Sequence, residues 1–146
     1  MKYGTRKKQE YALLTAWGAS FIATLGSLYF SEIMKFEPCV LCWYQRIFMY
    51  PFVLWLGIAV AKKDYRIATY SLPIATIGAC ISLYHYAIQK VAAFSAAGAA
   101  CGRVPCTGEY INWFGFVTIP FLALIGFITI AVCSFIVIKT NKEMKE

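Results

Sequence analysis

Four stretches of this chain run for more than twenty residues with almost no formal charge. Residues 11–31 hold 21 uncharged positions, and residues 38–61 hold 24 that are interrupted only by Arg46. Residues 67–89 hold 23, with His85 the single titratable group, and residues 110–138 hold 29. A helix needs about 20 apolar residues to cross ~30 Å of hydrocarbon. All four stretches meet that length. Dyad alternation, the mark of outer-membrane barrels, is missing. The pattern therefore predicts an all-α membrane protein with four transmembrane helices, at about 11–31, 40–61, 67–89 and 111–138. Short connections favour an up-down four-helix bundle forming one integral membrane domain over 1–146. Composition agrees: 60% of residues are apolar and 14% are charged, against roughly 25% charged in soluble domains.

The net charge of +7 raises nucleic acid as a partner, so the placement of the charges matters. Lys2, Arg6, Lys7 and Lys8 precede the first span. Lys62, Lys63 and Arg66 separate the second and third, and Lys139, Lys142 and Lys145 follow the fourth. By the positive-inside rule these segments are cytoplasmic, and so are both termini. The basic balance then reports topology, and no nucleic-acid partner is expected. The first span exceeds a typical signal-peptide core and lacks a small-residue cleavage site after it, so it is expected to be retained. The outer loops fall at about 31–39 and 90–110. Within the second, residues 91–100 are apolar, too short to span, and expected to pack on the bundle or lie at the interface.

Cysteines sort by side. Cys39 and Cys42 open the second span, and Cys101 and Cys106 lie in the long outer loop. Both pairs thus map to the side where disulfides persist. Pro38 suits the first turn of a helix. Cys39, Cys42 and Arg46 are then spaced i, i+3, i+7 on one face. A helix N-terminus and a nearby arginine both lower a thiol pKa. C-x-x-C is the usual spacing of a redox dithiol. A structural disulfide across three residues would constrain the unfolded chain little, though that reading and metal ligation stay open. Arg46 is either a snorkelling interface residue or a partner for a thiolate or polar ligand. Gly98, Gly102, Pro105 and Gly108 around the loop pair predict an exposed turn, where a disulfide is labile; a simple loop staple is the alternative. Cys80 and Cys133 read as core packing. His85 could bond a ligand carbonyl, relay a proton or satisfy a backbone carbonyl. Trp43, Tyr44, Tyr84, Tyr86 and Trp113 form an outer aromatic belt, which could also line a flat-ring pocket.

The run P-C-V-L-C-W-Y-Q-R (Pro38–Arg46), a second outer cysteine pair, four spans and P-C-T-G-E-Y-I-N-W-F-G-F-V-T-I-P (Pro105–Pro120) together resemble the disulfide bond formation protein B (DsbB) family. The resemblance is nearest its short Bacillus-type branch, BdbC, and covers nearly the whole chain. It implies a quinone-dependent thiol–disulfide oxidoreductase of the bacterial plasma membrane, with its redox cysteines on the outer face. Its partner would be an exported thioredoxin-like thiol oxidase, which it reoxidises. Electrons would pass from Cys101–Cys106 to Cys39–Cys42 and on to a membrane quinone, menaquinone for this branch. Cys42 matches the family cysteine that contacts the quinone, Arg46 the arginine at that site, and His85, approximately, a quinone-proximal histidine. Gram-negative members separate the second cysteine pair by a much longer loop. Here four residues intervene, and order in the chain points to Cys101 as the sulfur attacked by the partner.

Other classes fit less well. A vitamin K epoxide reductase-like enzyme would carry its quinone-side C-x-x-C in the last span, where only Cys133 is found. A small multidrug transporter would need a carboxylate inside a span, and none is there. A zinc protein could use four outer cysteines, but it would lack a histidine cluster; no metal is expected.

Overall fold

The computed structural model describes residues 2–99, 102–108 and 110–146, so Cys101 and Glu109 lie outside the described residues. Helix α1 (Lys2–Leu28) runs into a π-helical turn, Tyr29–Ile33. Helices α2 (Val40–Lys62), α3 (Ile67–Lys90), the short α4 (Ala92–Ala99) and α5 (Ile119–Glu143) follow. Four of these are long and apolar enough to cross a membrane. The protein is therefore an all-α, multi-pass membrane protein, as the uncharged stretches predict. Helices α1 and α3 each pack on both α2 and α5, which places α2 and α5 across a diagonal. Met49, Phe52, Leu56, Phe127 and Ile130 fill the space between them.

One face of α3 explains how the bundle closes. Ala68, Ser71, Ala75, Gly78, Ser82 and His85 recur at three- and four-residue intervals and are all buried. Small side chains allow close helix approach in lipid. A Cβ on Gly78 would collide with the Phe127 ring of α5. The same stripe carries His85 into the protein interior, 1% exposed. Cys133 is buried on α5, as core packing requires, but Cys80 is exposed and faces away from the bundle. The expectation of core packing for Cys80 is thus corrected. Its position on α3 falls off the buried stripe, and a helix apolar all round gives no polar face to mark that.

Helix ends set the geometry at the cysteine end of the bundle. Cys39 is the N-cap of α2, with extended backbone (φ −74°, ψ 174°), so Pro38 precedes the helix instead of forming its first turn. At the other end, Lys63 adopts a left-handed conformation (φ 54°) and stops α2 before the tight connection to α3. Helix α5 begins at Ile119, with Pro120 in its first turn, later than the uncharged run suggests. Residues 113–117 instead form a tight turn, with paired bonds between Trp113 and Val117 of 2.9 and 3.0 Å. Positive φ at Phe114 (55°) and Gly115 (81°) is incompatible with a helix there. The apolar 91–100 segment supplies α4, which packs on α3. Lys62, Lys63, Arg66, Lys139 and Lys142 all lie at the helix ends remote from Cys39.

Candidate functional site

The N-terminus of α2 brings Cys39 and Cys42 together, with their Sγ atoms 3.4 Å apart and Cys39 donating. Cys39 is 5% exposed. Its thiol is pushed up to about 12, first by the hydrogen bond it gives Cys42 and then by burial. The sequence reading lowers the pKa of both thiols. For Cys39 the effect runs the other way, because a proton shared with a neighbouring sulfur outweighs the helix terminus.

The cysteine loop folds back onto this pair. Cys106 is 1% exposed and clusters with Cys39 and Ile88. Its N–H bonds to the Gly98 carbonyl at 3.2 Å. Gly98 is needed there, since a Cβ would meet Ile88 and Thr107. The glycine and proline neighbours of Cys106 predict an exposed turn. The seat on α3 and α4, which those neighbours do not reveal, buries it instead. Cys101 lies outside the described residues.

His85 joins the two halves. Its Nε2 is 3.2 Å from the Cys106 carbonyl and 3.5 Å from Cys39 Sγ. Its Nδ1 is 3.2 Å from Gln45 Nε2, an amide that can only donate. The donors therefore run Gln45 to His85 to Cys39 to Cys42. Cys39 Sγ, Cys106 Sγ and a ring nitrogen of His85 all fall within 4.8 Å of one another. That donor set could ligate a thiophilic ion. Its sulfur spacing equally suits thiol–disulfide exchange.

On its other side Cys42 borders a cavity of about 420 Å³ between α1, α2 and α5. This volume lies in the range of small-molecule sites, roughly 300–1,000 Å³. Arg46 also borders it. The guanidinium is held by a 3.2 Å bond to the Ser27 carbonyl and lies 5.3 Å from the Trp43 ring. The walls are mostly apolar, and the exposed Ile22, Leu122 and Ile125 border the cavity where it meets the bundle surface. Near Cys42, Phe36 stacks on Tyr110 (4.7 Å) and on Phe30 (6.3 Å), and all three rings line the cavity.

The structure sorts the candidate residues into two groups. Cys42 and Arg46 border the large cavity, whereas His85 does not and sits with Cys39 and Cys106. None of the five belt aromatics borders the cavity; Phe30, Phe36, Tyr50 and Tyr110 do. Sequence reasoning missed these and Gln45. Gln45 carried a usable signal, as an uncharged polar residue one turn beyond Cys42 inside a span. The aromatic stack carried none, because a π-helical turn and the 113–117 loop bring it together.

Comparison with known proteins places these features in a family. The family model for disulfide bond formation protein DsbB matches residues 9–137. A probable disulfide formation protein C of Bacillus cereus is 97% identical over 94% of this chain and 99% of its own length. The disulfide bond formation protein C of Bacillus subtilis is 61% identical over 86% of this chain and 91% of its own. A probable disulfide formation protein C of Halalkalibacterium halodurans is 58% identical over 91% and 97%. No solved structure matches the chain. With four spanning helices, a half-buried C-x-x-C pair and a second cysteine docked against it, the chain is a membrane thiol–disulfide oxidoreductase and belongs to the disulfide bond formation protein DsbB family.

Proposed function

We propose that the protein reoxidises an exported thioredoxin-like dithiol oxidase and delivers the electrons to a membrane quinone, with its cysteine end on the outer face. The observation that carries this reading is the position of Cys42. Its neighbour Cys39 meets Cys106, while Cys42 itself borders the apolar cavity with Arg46. The basic helix ends remote from Cys39 support the orientation. Menaquinone is the quinone we assign, as the resemblance to the Bacillus-type branch implies.

The thiol steps balance as exchanges. A partner thiolate attacks the Cys101–Cys106 disulfide, and the partner's second thiol resolves the mixed disulfide. The partner leaves oxidised and the loop leaves reduced. The Cys106 thiolate then attacks Cys39 of the Cys39–Cys42 disulfide, forming Cys39–Cys106 and expelling Cys42 with the electron pair. Cys101 next attacks Cys106, closing the loop disulfide and releasing Cys39 with a proton. The contact between Cys39 and Cys106 supports this division of roles and leaves Cys101 for the partner.

The cavity residues fit a quinone: apolar walls for a prenylated ring, an aromatic stack, and one cationic donor. When bound, the quinone supplies the two-electron acceptor that restores the Cys39–Cys42 disulfide. Arg46 would donate to a ring oxygen from a position fixed by Ser27 and Trp43. Cys42 would present its sulfur to the ring, and Ile22, Leu122 and Ile125 would admit it from lipid. The test is oxidation of a reduced thioredoxin-like protein by the purified protein with menaquinone. Oxidation that requires the quinone supports the reading, and oxidation at the same rate without it overturns it.

A further inference from the structure

We propose that His85 is a latch for the cysteine loop: one imidazole N–H, shared between the Cys106 carbonyl and the Cys39 sulfur, holds the two exchanging cysteines in register and stabilises the charge on Cys39 as it leaves. The inference rests on the exchange between Cys106 and Cys39 proposed above. It gives His85 a place in that exchange and not at the quinone.

Hydrogen-bond accounting carries the argument. A peptide carbonyl only accepts, so a ring nitrogen 3.2 Å from the Cys106 carbonyl carries a hydrogen. The same Nε2 is 3.5 Å from Cys39 Sγ, within reach for sulfur. Gln45 Nε2 sits 3.2 Å from Nδ1 and donates to it, which leaves the hydrogen on Nε2. Gln45 is thus a positioning residue that sets the tautomer. His85 is 1% exposed, so water does not compete for these bonds.

Chemistry gives the latch a purpose. Exchange is faster when the leaving thiolate is stabilised. Cys39 is expelled when Cys101 attacks Cys106, and His85 places an N–H donor within reach of its sulfur. The imidazole keeps its proton throughout. Cys39 takes up the proton that the attacking Cys101 thiol released. The bond to the carbonyl has a separate effect, tying the loop to α3 at the residue that must exchange. Loop movement towards a soluble partner breaks that bond and leaves the N–H to Cys39 alone.

The test reads loop docking directly. The fully reduced protein is alkylated, and each cysteine's rate is followed by mass spectrometry in wild type, His85→Ala and His85→Gln. His85→Ala is expected to speed modification of Cys106 roughly tenfold, the worth of one hydrogen bond, with menaquinone affinity unchanged. His85→Gln, which keeps an N–H donor, is expected to restore part of the protection. An unchanged Cys106 rate, or weakened quinone binding with Cys106 still protected, overturns the latch. Global unfolding would also expose the buried Cys133; His85→Gln then decides, and an unprotected Cys106 in that folded variant overturns the latch. A second measurement separates the latch from the exchange itself. In a Cys42→Ser, Cys101→Ser background, mild oxidation is expected to form a Cys39–Cys106 disulfide, roughly tenfold more slowly without His85. Equal rates sink the latch alone. No such disulfide in either protein sinks the exchange on which it rests.

Discussion

The two sulfurs of the C-x-x-C pair are one helical turn apart yet face different surroundings. Cys39 looks towards the loop: it is buried, bonded by His85 and close to Cys106. Cys42 also touches the Cys39, Ile88 and Cys106 cluster, but of the two sulfurs it is the one that borders the apolar cavity, with Arg46 and a stack of aromatic rings. On the function proposed above, the difference teaches how one short motif would serve a water-borne thiol and a lipid-borne oxidant. An i, i+3 spacing at a helix N-terminus is close enough for the sulfurs to touch at 3.4 Å. It also turns each towards its own neighbours. The helix terminus supplies the shared position, and tertiary contacts supply the division of labour.

The largest effects come from removing the sulfurs, and they differ by side. Cys42→Ser should abolish quinone-linked turnover yet let Cys39 and Cys106 join, a product visible on non-reducing gels. Cys106→Ser should abolish transfer from the partner while leaving Cys39–Cys42 oxidisable by quinone. If the two variants accumulate the same species, the two sides are not distinct. On the lipid side, Arg46→Ala should raise the apparent KM for quinone by roughly tenfold to a hundredfold, the range for a charge-assisted hydrogen bond. An unchanged KM returns Arg46 to an interface anchor held by Ser27 and Trp43.

Gly98→Ala should act on the loop side alone. The added Cβ meets Ile88 and Thr107, and overpacking of about 1–3 kcal/mol should undock Cys106 and slow exchange roughly tenfold or more, with quinone KM unchanged. A raised quinone KM would show that the two sides are coupled. The Cys39 thiol, pushed up to about 12 by its bond to Cys42 and by burial, should resist alkylation at pH 8. Its rate should keep rising as the pH approaches 12, because its thiolate fraction does not saturate below that pH. A rate that levels off near pH 9 contradicts the buried, bonded thiol. The smallest effect belongs to cysteines on neither side. The Cys80→Ala, Cys133→Ala double variant should remain active, with Cys80 within about 0.5 kcal/mol of neutral in stability, and loss of turnover would give one of them a role.

Much of this division is legible in the sequence, for identifiable reasons. Charge-free runs betray membrane spans, because a charge inside lipid costs energy wherever it falls. The cysteine pairs and Arg46 stand out because polar or reactive residues in such runs are rare. What stays hidden depends on contacts between distant segments. The uncharged run misplaces the start of α5 because residues 110–118 are as apolar as a helix but are turned by Phe114 and Gly115. Cys80 reads as core because lipid and core are both apolar, so its face is invisible in the sequence. The burial of Cys106 depends on Gly98 and Ile88, and the aromatic stack on a π-helical turn meeting a loop. His85 is the intermediate case: the small residues before it on α3 point it inward, but they do not name Cys39, Gln45 or the Cys106 carbonyl as its partners.

The central claim is that one chain connects an exported dithiol to a membrane quinone through two cysteine pairs. The most direct measurement mixes the purified protein with a reduced thioredoxin-like partner and menaquinone, and follows partner thiols and quinone absorbance together. The account predicts one quinone reduced per partner dithiol oxidised, with turnover lost in each of Cys39→Ser, Cys42→Ser, Cys101→Ser and Cys106→Ser. Coupled turnover that survives in all four single variants would contradict it.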